Sequence, residues 1–386
     1  MRARVVPAES PSPQSSAPKS RLVSLDVFRG LTIAGMLVVN TPGTWAHVYP
    51  PLLHAEWNGW TYTDTIFPFF LFAVGVSMVF SFGRRIEKGA RPKDLALHTV
   101  ERAVAIFAIG LGLNVLSFLL FHKASLRIPG VLQRIGVCYL VGGILYLAFG
   151  RRGLFPAAAT LLLLYAVLMA QVPVPGFGAG RLDAQGNLAA YVDRLVLGDH
   201  TWKPGWDPEG PLSTIPAIAS VLAGALAGEL LRARTSWRPR LVGLMASGAL
   251  ATTLGVLWGT VFPINKNLWT SSYALLMAGL AAVGLALCVW IVDVRGWKAW
   301  AAPFRWLGMN ALAIFTMSLL ATLLLLWVKL PSASGKPRSL YAAIFLGAFD
   351  RFADPRLGSL LFALAFLAVF VAVAGLLYRK RIFLKL

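Results

Sequence analysis

Long apolar stretches separated by short polar ones organise this chain. A helix needs ~20 mainly apolar residues to cross a hydrocarbon core, and ten segments meet that length: 23–43, 62–82, 103–121, 130–149, 153–171, 212–231, 240–262, 269–292, 305–328 and 357–378. The longest interruption, roughly 172–211, is polar and too short for a soluble domain of usual size. The pattern predicts an all-α polytopic membrane bundle of about ten transmembrane helices. Residues 1–21 are rich in Pro and Ser and read as a disordered tail, which leaves 22–386 as the membrane domain. Leu22–Val39 carries Ser24, Asp26 and Arg29 near its start and no small-x-small cleavage site follows it, so it reads as a retained span and not as a signal peptide.

Composition agrees with the pattern. Of 386 residues 57% are hydrophobic and only 13% are charged, against ~25% charged in an ordinary soluble domain. A soluble enzyme, a disordered chain and a fibrous repeat are excluded. The net charge of +20 would suit a nucleic-acid binder, but the basic residues sit in runs between spans. Arg84, Arg85, Lys88, Arg91 and Lys93 form one run, Arg151 and Arg152 another, and Arg379, Lys380 and Arg381 a third, whereas Thr44–Trp60 has neither Lys nor Arg. This asymmetry predicts both termini in the cytoplasm. Lipid, and not nucleic acid, is the expected partner; a second copy of the chain is a further candidate. Cys138 and Cys288 both lie in apolar stretches without a CxxC or Cys/His pairing, so neither a disulfide framework nor a metal site is expected.

The connections on the other face carry the chemistry. Residues 40–64 hold Asn40, His47, His54, Glu56, Asn58 and Asp64, with Trp45, Trp57 and Trp60 among them. Tryptophans also belong to the aromatic belt of any membrane protein, but ionisable groups at membrane depth are costly and mark function. Residues 198–214 add Asp199, His200, Asp207 and Glu209, and PINKNLWTSSY adds Asn265, Lys266, Asn267, Trp269 and Tyr273. Carboxylates, amides and indoles together suit a sugar, with hydroxyls hydrogen-bonded and rings stacked. Within the spans, Asp26 and Arg29 stand i, i+3 and predict an ion pair. Arg134 has no partner nearby in sequence and suits an anionic ligand such as a phosphate. No GxGxxG, Walker A, GxSxG or HExxH motif occurs.

The runs RLVSLDVFRGLTIAGMLVVN, LLHAEWNGWTYTDTIFPFFLFAVGVS, GVLQRIG, DPEGPLSTIPAIAS and PINKNLWTSSYAL resemble the heparan-alpha-glucosaminide N-acetyltransferase family and its bacterial relatives, in order and at comparable spacing from Arg21 to near the C-terminus. The resemblance implies a transmembrane acyltransferase that takes acetyl groups from cytoplasmic acetyl-CoA. The acceptor it implies is the amino group of a glucosamine-type sugar on the far side. It places the active histidine at His54, its nearby asparagine at Asn40, the following aspartate at Asp64 and the DPEG acids at Asp207 and Glu209. Glu56, Trp57, Asn58, Asn265, Lys266 and Asn267 are the other expected acceptor contacts.

Such a reaction needs an amine to lose a proton as it attacks a thioester. A neutral imidazole is a suitable base, contributing ~10²–10⁴-fold. Asn40 is a candidate donor to the developing oxyanion, and either Asp64 or Glu56 can orient His54. His54 can also carry the acetyl group covalently; the sequence leaves both routes open. Arg29, Arg84, Arg85, Arg102 and Arg134 are the candidates for the acetyl-CoA phosphates. A bacterial inner-membrane location follows, with the site loops facing the periplasm or exterior. The competing reading is a secondary transporter of a sugar or amino sugar, which the absence of an internal repeat and the one-sided polar cluster disfavour.

Overall fold

The computed structural model describes residues 22–233, 235–331 and 336–384; the tail expected over 1–21 lies outside them. The elements in order are α1 (Val23–Asn40), α2 (Tyr62–Glu87), α3 (Pro92–Phe121), α4 (Val131–Gln171), α5 (Leu188–Leu197), α6 (Thr214–Arg232), α7 (Trp237–Gly259), α8 (Ser271–Cys288), α9 (Ala302–Met309), α10 (Ala311–Trp327), α11 (Leu340–Ala348) and α12 (Pro355–Arg379). A π-turn, Val289–Val294, prolongs α8. A two-residue antiparallel ladder pairs Lys329–Leu330 with Arg338–Ser339.

Among the described residues, eight helices are singly long and apolar enough to cross a membrane, and α9 with α10, bent by 84°, makes a ninth. The 41-residue α4 contains a further crossing. Its Gly150 has φ 59 and ψ −168, outside helical geometry. On one side of that break Arg134 lies over the Trp269 ring; on the other, Tyr165 donates to the Leu268 carbonyl oxygen at 2.6 Å. A straight helix would hold positions 134 and 165 ~46 Å apart, yet both reach the same turn. The chain therefore doubles back at Gly150, beside Arg151 and Arg152, and the two arms stand as the separate spans that the sequence predicts. With the two arms of α4 counted separately and α9 with α10 as one, ten helical segments of spanning length stand among the described residues.

Several predicted edges move. α1 stops at Asn40 and not at 43, because Thr41 leaves helical geometry. α3 starts at Pro92, well before the apolar edge at 103. Pro92 suits the first turn, and the Asp94 carboxylate accepts from the Arg91 N–H at 3.0 Å. The predicted span 305–328 is broken at Asn310, whose amide donates to Ile382 O at 3.1 Å and accepts from Leu384 N at 2.9 Å. α5 and α11 are short helices within connections; Asn187 starts α5 by accepting from Ala190 N at 2.8 Å.

Close packing of small residues sets the helix positions. A methyl group at Gly75 would overlap the Val221 carbonyl oxygen, and one at Gly224 that of Phe72, so α2 and α6 touch backbone to backbone as small-residue membrane interfaces do. The contact brings the start of α2, with Asp64, to the same end of the bundle as the start of α6. The starts of α2, α4, α6 and α8 and the end of α1 share one face of the bundle, called the site face below.

Candidate active site

The site begins with a helix cap. Thr61 and Asp64 form a capping box at the start of α2. Asp64 is 1% exposed, and its Oδ2 accepts from Thr61 N at 2.9 Å and Ala55 N at 3.0 Å. Thr61 also donates to Leu53 O at 2.6 Å, which closes the 53–64 loop on itself. Asp64 Oδ1 then faces His54 Nδ1 at 2.6 Å.

This arrangement fixes the imidazole tautomer. An ionised carboxylate only accepts, and two backbone N–H groups already hold its other oxygen, so the proton between the two residues belongs on Nδ1. In the neutral ring Nε2 then carries the lone pair. The His54 side chain is 49% exposed, so Nε2 is reachable from the site face. Of the two orienting carboxylates that the sequence allows, Asp64 makes the contact; Glu56 is exposed.

A second loop is sewn to the first. Gly59 N donates to Ile264 O at 2.8 Å and Asn265 Nδ2 to Asn58 Oδ1 at 3.1 Å, while Tyr273 on α8 donates to the Asp64 backbone oxygen at 2.6 Å. Trp57 donates from its indole to Leu182 O at 2.8 Å and meets Trp206 edge-to-face at 5.5 Å; Trp206 meets Trp202 at 5.9 Å. Three tryptophans thus run outward from the His54 loop.

Below them lies a charge network. Arg127 binds Asp207 through Nε at 2.8 Å and Nη2 at 2.7 Å, and reaches Glu209 as well. Asp207 also accepts from Trp202 N and Glu209 N. Four donors reach this buried carboxylate, so its hydrogen-bonding capacity is taken up within the protein. Burial works against the Arg127 charge, but Asp207 and Glu209 outweigh it and hold its pKa above the usual arginine value. Burial likewise pushes Glu209 up, yet Arg127, Lys266 and Arg134 bring it below the ordinary range. Asp193 on α5 accepts from Asp207 N at 2.8 Å. Its pKa is pushed up to about 7, chiefly by burial and partly by the Asp207 charge.

Other expected residues fall elsewhere. Asn40 ends α1 with an exposed side chain that makes no hydrogen bond among the described residues, and the same holds for the half-buried Asn267. Arg84 and Arg85 are exposed at the opposite end of α2, with Arg85 near His98 at 3.0 Å. Arg29 pairs with Asp26 at 3.9 Å, as predicted. It also lines, with Arg102, Ser77, Tyr139 and Leu312, a cleft of about 460 Å³ including its mouth. Ser77 Oγ, Arg102 Nε and Tyr139 Oη are all buried there without a hydrogen-bond partner. Ser77 stands ~20 Å along α2 from Asp64. Arg134 is not part of this cleft lining. It is 2% exposed, donates to Ser213 Oγ and to Gly210 O, and keeps Nε and Nη1 unpartnered. Sequence reasoning missed Arg127, Asp193, Ser77 and Tyr139 as members of these groups; Arg127 meets acids some 80 positions away, and no local pattern announces it.

The sequence has counterparts among known proteins. A family model described as heparan-alpha-glucosaminide N-acetyltransferase, catalytic, matches residues 21–260, a stretch that includes Asn40, His54, Asp64, Arg134, Asp207 and Glu209. The heparan-alpha-glucosaminide N-acetyltransferase of Homo sapiens is 30% identical over 78% of this chain and 53% of its own length. That of Mus musculus is 30% identical over 77% of this chain and 53% of its own length. The chain thus spans about half the length of the curated relatives it matches. With its apolar helices and its match across the catalytic model, the chain is an integral membrane protein that belongs to the heparan-alpha-glucosaminide N-acetyltransferase family.

Proposed function

We propose that this protein is a transmembrane acetyltransferase that moves an acetyl group from acetyl-CoA to the amino group of a glucosamine-type sugar. The observation that carries the reading is the His54–Asp64 couple, an imidazole held in the Nδ1–H tautomer with Nε2 open to the site face. His54 Nε2 takes the proton that the amine loses as its nitrogen attacks the thioester carbonyl. The C–N bond forms, the C–S bond breaks, and the proton passes to the departing thiolate, leaving an amide and a free thiol. Direct transfer is preferred to an acetyl-histidine intermediate, because Nε2 is then needed only as a proton carrier.

The donor binds from the opposite half of the bundle. Arg29 and Arg102, with the unpartnered Ser77, Arg102 and Tyr139 polar atoms, suit phosphate oxygens. A pantetheine-type arm bridges from that cleft to the His54 loop. The run of Trp57, Trp206 and Trp202 suits the faces of sugar rings, with Asn58 and Asn267 for hydroxyls, while the buried Asn265, bonded to Asn58 and Leu268, holds the loop. Asn40 is retained as a donor near the acceptor. The basic runs support a cytoplasmic side for the cleft and a periplasmic or outer side for His54 in a bacterial inner membrane.

The test is glucosamine-dependent release of free CoA thiol by the purified protein in detergent or nanodiscs. Release with saturable acetyl-CoA dependence is expected; absence of release together with absence of acetyl-CoA binding overturns the proposal. The break at Asn310 favours one other reading, transport, since transporters use broken helices. Sugar flux into protein-loaded vesicles without CoA release would establish it.

A further inference from the structure

Lys266 has surroundings unlike those of the other lysines. It sits in the turn before α8, where Asn265 N donates to Thr270 Oγ1 at 3.0 Å, Leu268 N to Asn265 Oδ1 at 2.9 Å and Trp269 N to Lys266 O at 3.1 Å. Trp269 adopts φ 49, a left-handed conformation that a bulky residue adopts only when its surroundings impose it. Its indole lies fully buried under the Arg134 guanidinium, 5.1 Å from the ring centre. The turn is therefore rigid, and it is the loop joined to the His54 loop through Gly59 and Asn58. Lys266 is recessed: densely surrounded by protein, yet partly accessible. Among the described residues its ammonium has no hydrogen-bond partner.

The charges around it come from four elements. Glu209 before α6 and Asp64 on α2 favour the ammonium, while Arg134 on α4 and Arg127 before α4 oppose it. Burial is the largest influence and, with the two arginines, leaves the Lys266 pKa below the usual lysine value. A recessed ammonium with three unused donors, on a turn hydrogen-bonded to the loop that carries His54, is an arrangement costly in the resting protein. It is repaid when negative charge develops next to it.

We propose that Lys266 is a catalytic residue whose ammonium donates a hydrogen bond to the acetyl carbonyl oxygen as that oxygen becomes an oxyanion. The role rests on the acyl-transfer reading above. As the sugar amine attacks, His54 Nε2 accepts its proton and the carbonyl oxygen gains the electron pair of the C=O bond. Lys266 holds that oxygen by one N–H bond without surrendering the proton. When the C–S bond breaks, the electron pair returns to the carbonyl, and the His54 proton goes to the thiolate. Lys266 lies outside the stretch that the family model matches, residues 21–260. Its expected role had been contact with the sugar.

The experiment compares wild type, His54→Ala, Lys266→Met and Lys266→Arg in nanodiscs, reading kcat, KM for each substrate, the pH profile and the Tm. Removing one preorganised oxyanion donor typically costs ~10²–10³-fold in kcat. Lys266→Met is therefore expected to lose about that factor, with both KM values within threefold and the Tm unchanged or higher. Lys266→Arg, which keeps charge and donors, should retain measurable turnover and lose the alkaline decline in kcat that deprotonation of Lys266 produces. The proposal is overturned if Lys266→Met keeps kcat within threefold of wild type while His54→Ala is inactive, or if only the glucosamine KM rises. It is also overturned if Lys266→Arg keeps the wild-type alkaline limb, a readout that stands even should Lys266→Met fail to fold. Wild type without turnover, or His54→Ala as active as wild type, overturns instead the acyl-transfer reading beneath it.

Discussion

Replacing Asp64 by Asn tests the tautomer argument with little change of shape. The native carboxylate accepts on both oxygens: Oδ2 from Ala55 N and Thr61 N, and Oδ1 from His54. An asparagine has one oxygen and one NH₂. Kept against the two backbone N–H groups, its oxygen preserves the start of α2 and turns the NH₂ toward His54 Nδ1. The imidazole must then accept at Nδ1 and carry its proton on Nε2, where it no longer takes a proton from the amine. Turned the other way, the NH₂ would face two backbone donors. The first orientation wins, and kcat is expected to fall by ~10²–10⁴-fold, or ~3–5 kcal/mol of barrier at 1.36 kcal/mol per decade. The cap keeps its hydrogen bonds but loses the carboxylate charge at the helix start, an independent stability loss of about 1 kcal/mol. Thr61→Val is the control, since it weakens the cap and frees Leu53 O while sparing the His54 contact. It should lower the Tm by a similar amount and leave kcat within a few-fold. The assay is acceptor-dependent CoA release beside calorimetric acetyl-CoA binding, which both variants should keep. An Asp64→Asn enzyme within tenfold of wild-type kcat, beside an inactive His54→Ala, would refute the reasoning and leave Asp64 as a helix cap alone.

Other consequences are as direct. Arg127→Met strips the partner from two buried carboxylates and should destabilise the protein by about 3–5 kcal/mol, seen as a large fall in Tm; an unchanged Tm would remove the network from the scaffold. Arg29→Ala and Arg102→Ala should each raise the acetyl-CoA KM about tenfold or more with little change in kcat, and unaltered KM in both would move the donor elsewhere. Asp193 keeps its proton to about 7 when folded and only to the ordinary carboxylate range when unfolded. The folded chain therefore binds the extra proton between those values, and this group's contribution to stability declines as pH rises from about 4 to 7 and is flat above. Asp193→Asn should remove that decline and raise the Tm at pH 8; an identical Tm–pH curve in the variant would contradict it.

The membrane architecture is legible in the sequence because apolar runs of spanning length leave little choice of environment, and Gly150 with two arginines marks the turn inside α4. The break at Asn310 is not legible, for its amide is held by Ile382 and Leu384, some seventy positions away. The site divides in the same way. His54 and Asp64 meet across ten residues of one loop, so their motif already contains the contact. Asp207 looks like a sugar ligand in its acidic loop, and only the approach of Arg127 from a distant connection shows it to be enclosed. Arg134 is expected beside phosphates as an unpaired cation in a span, and the fold lodges it over Trp269 near the site face. Each of these differences rests on a contact between residues far apart in sequence, which no local pattern encodes.

The central claim is that His54 Nε2 relays the proton in acetyl transfer. Its most direct measurement is the initial rate of glucosamine-dependent CoA release from acetyl-CoA by wild type and by His54→Ala, at equal occupancy of acetyl-CoA. The account predicts saturable release in the first and at least a hundredfold loss in the second, with donor binding intact. Equal rates in the two proteins would contradict it.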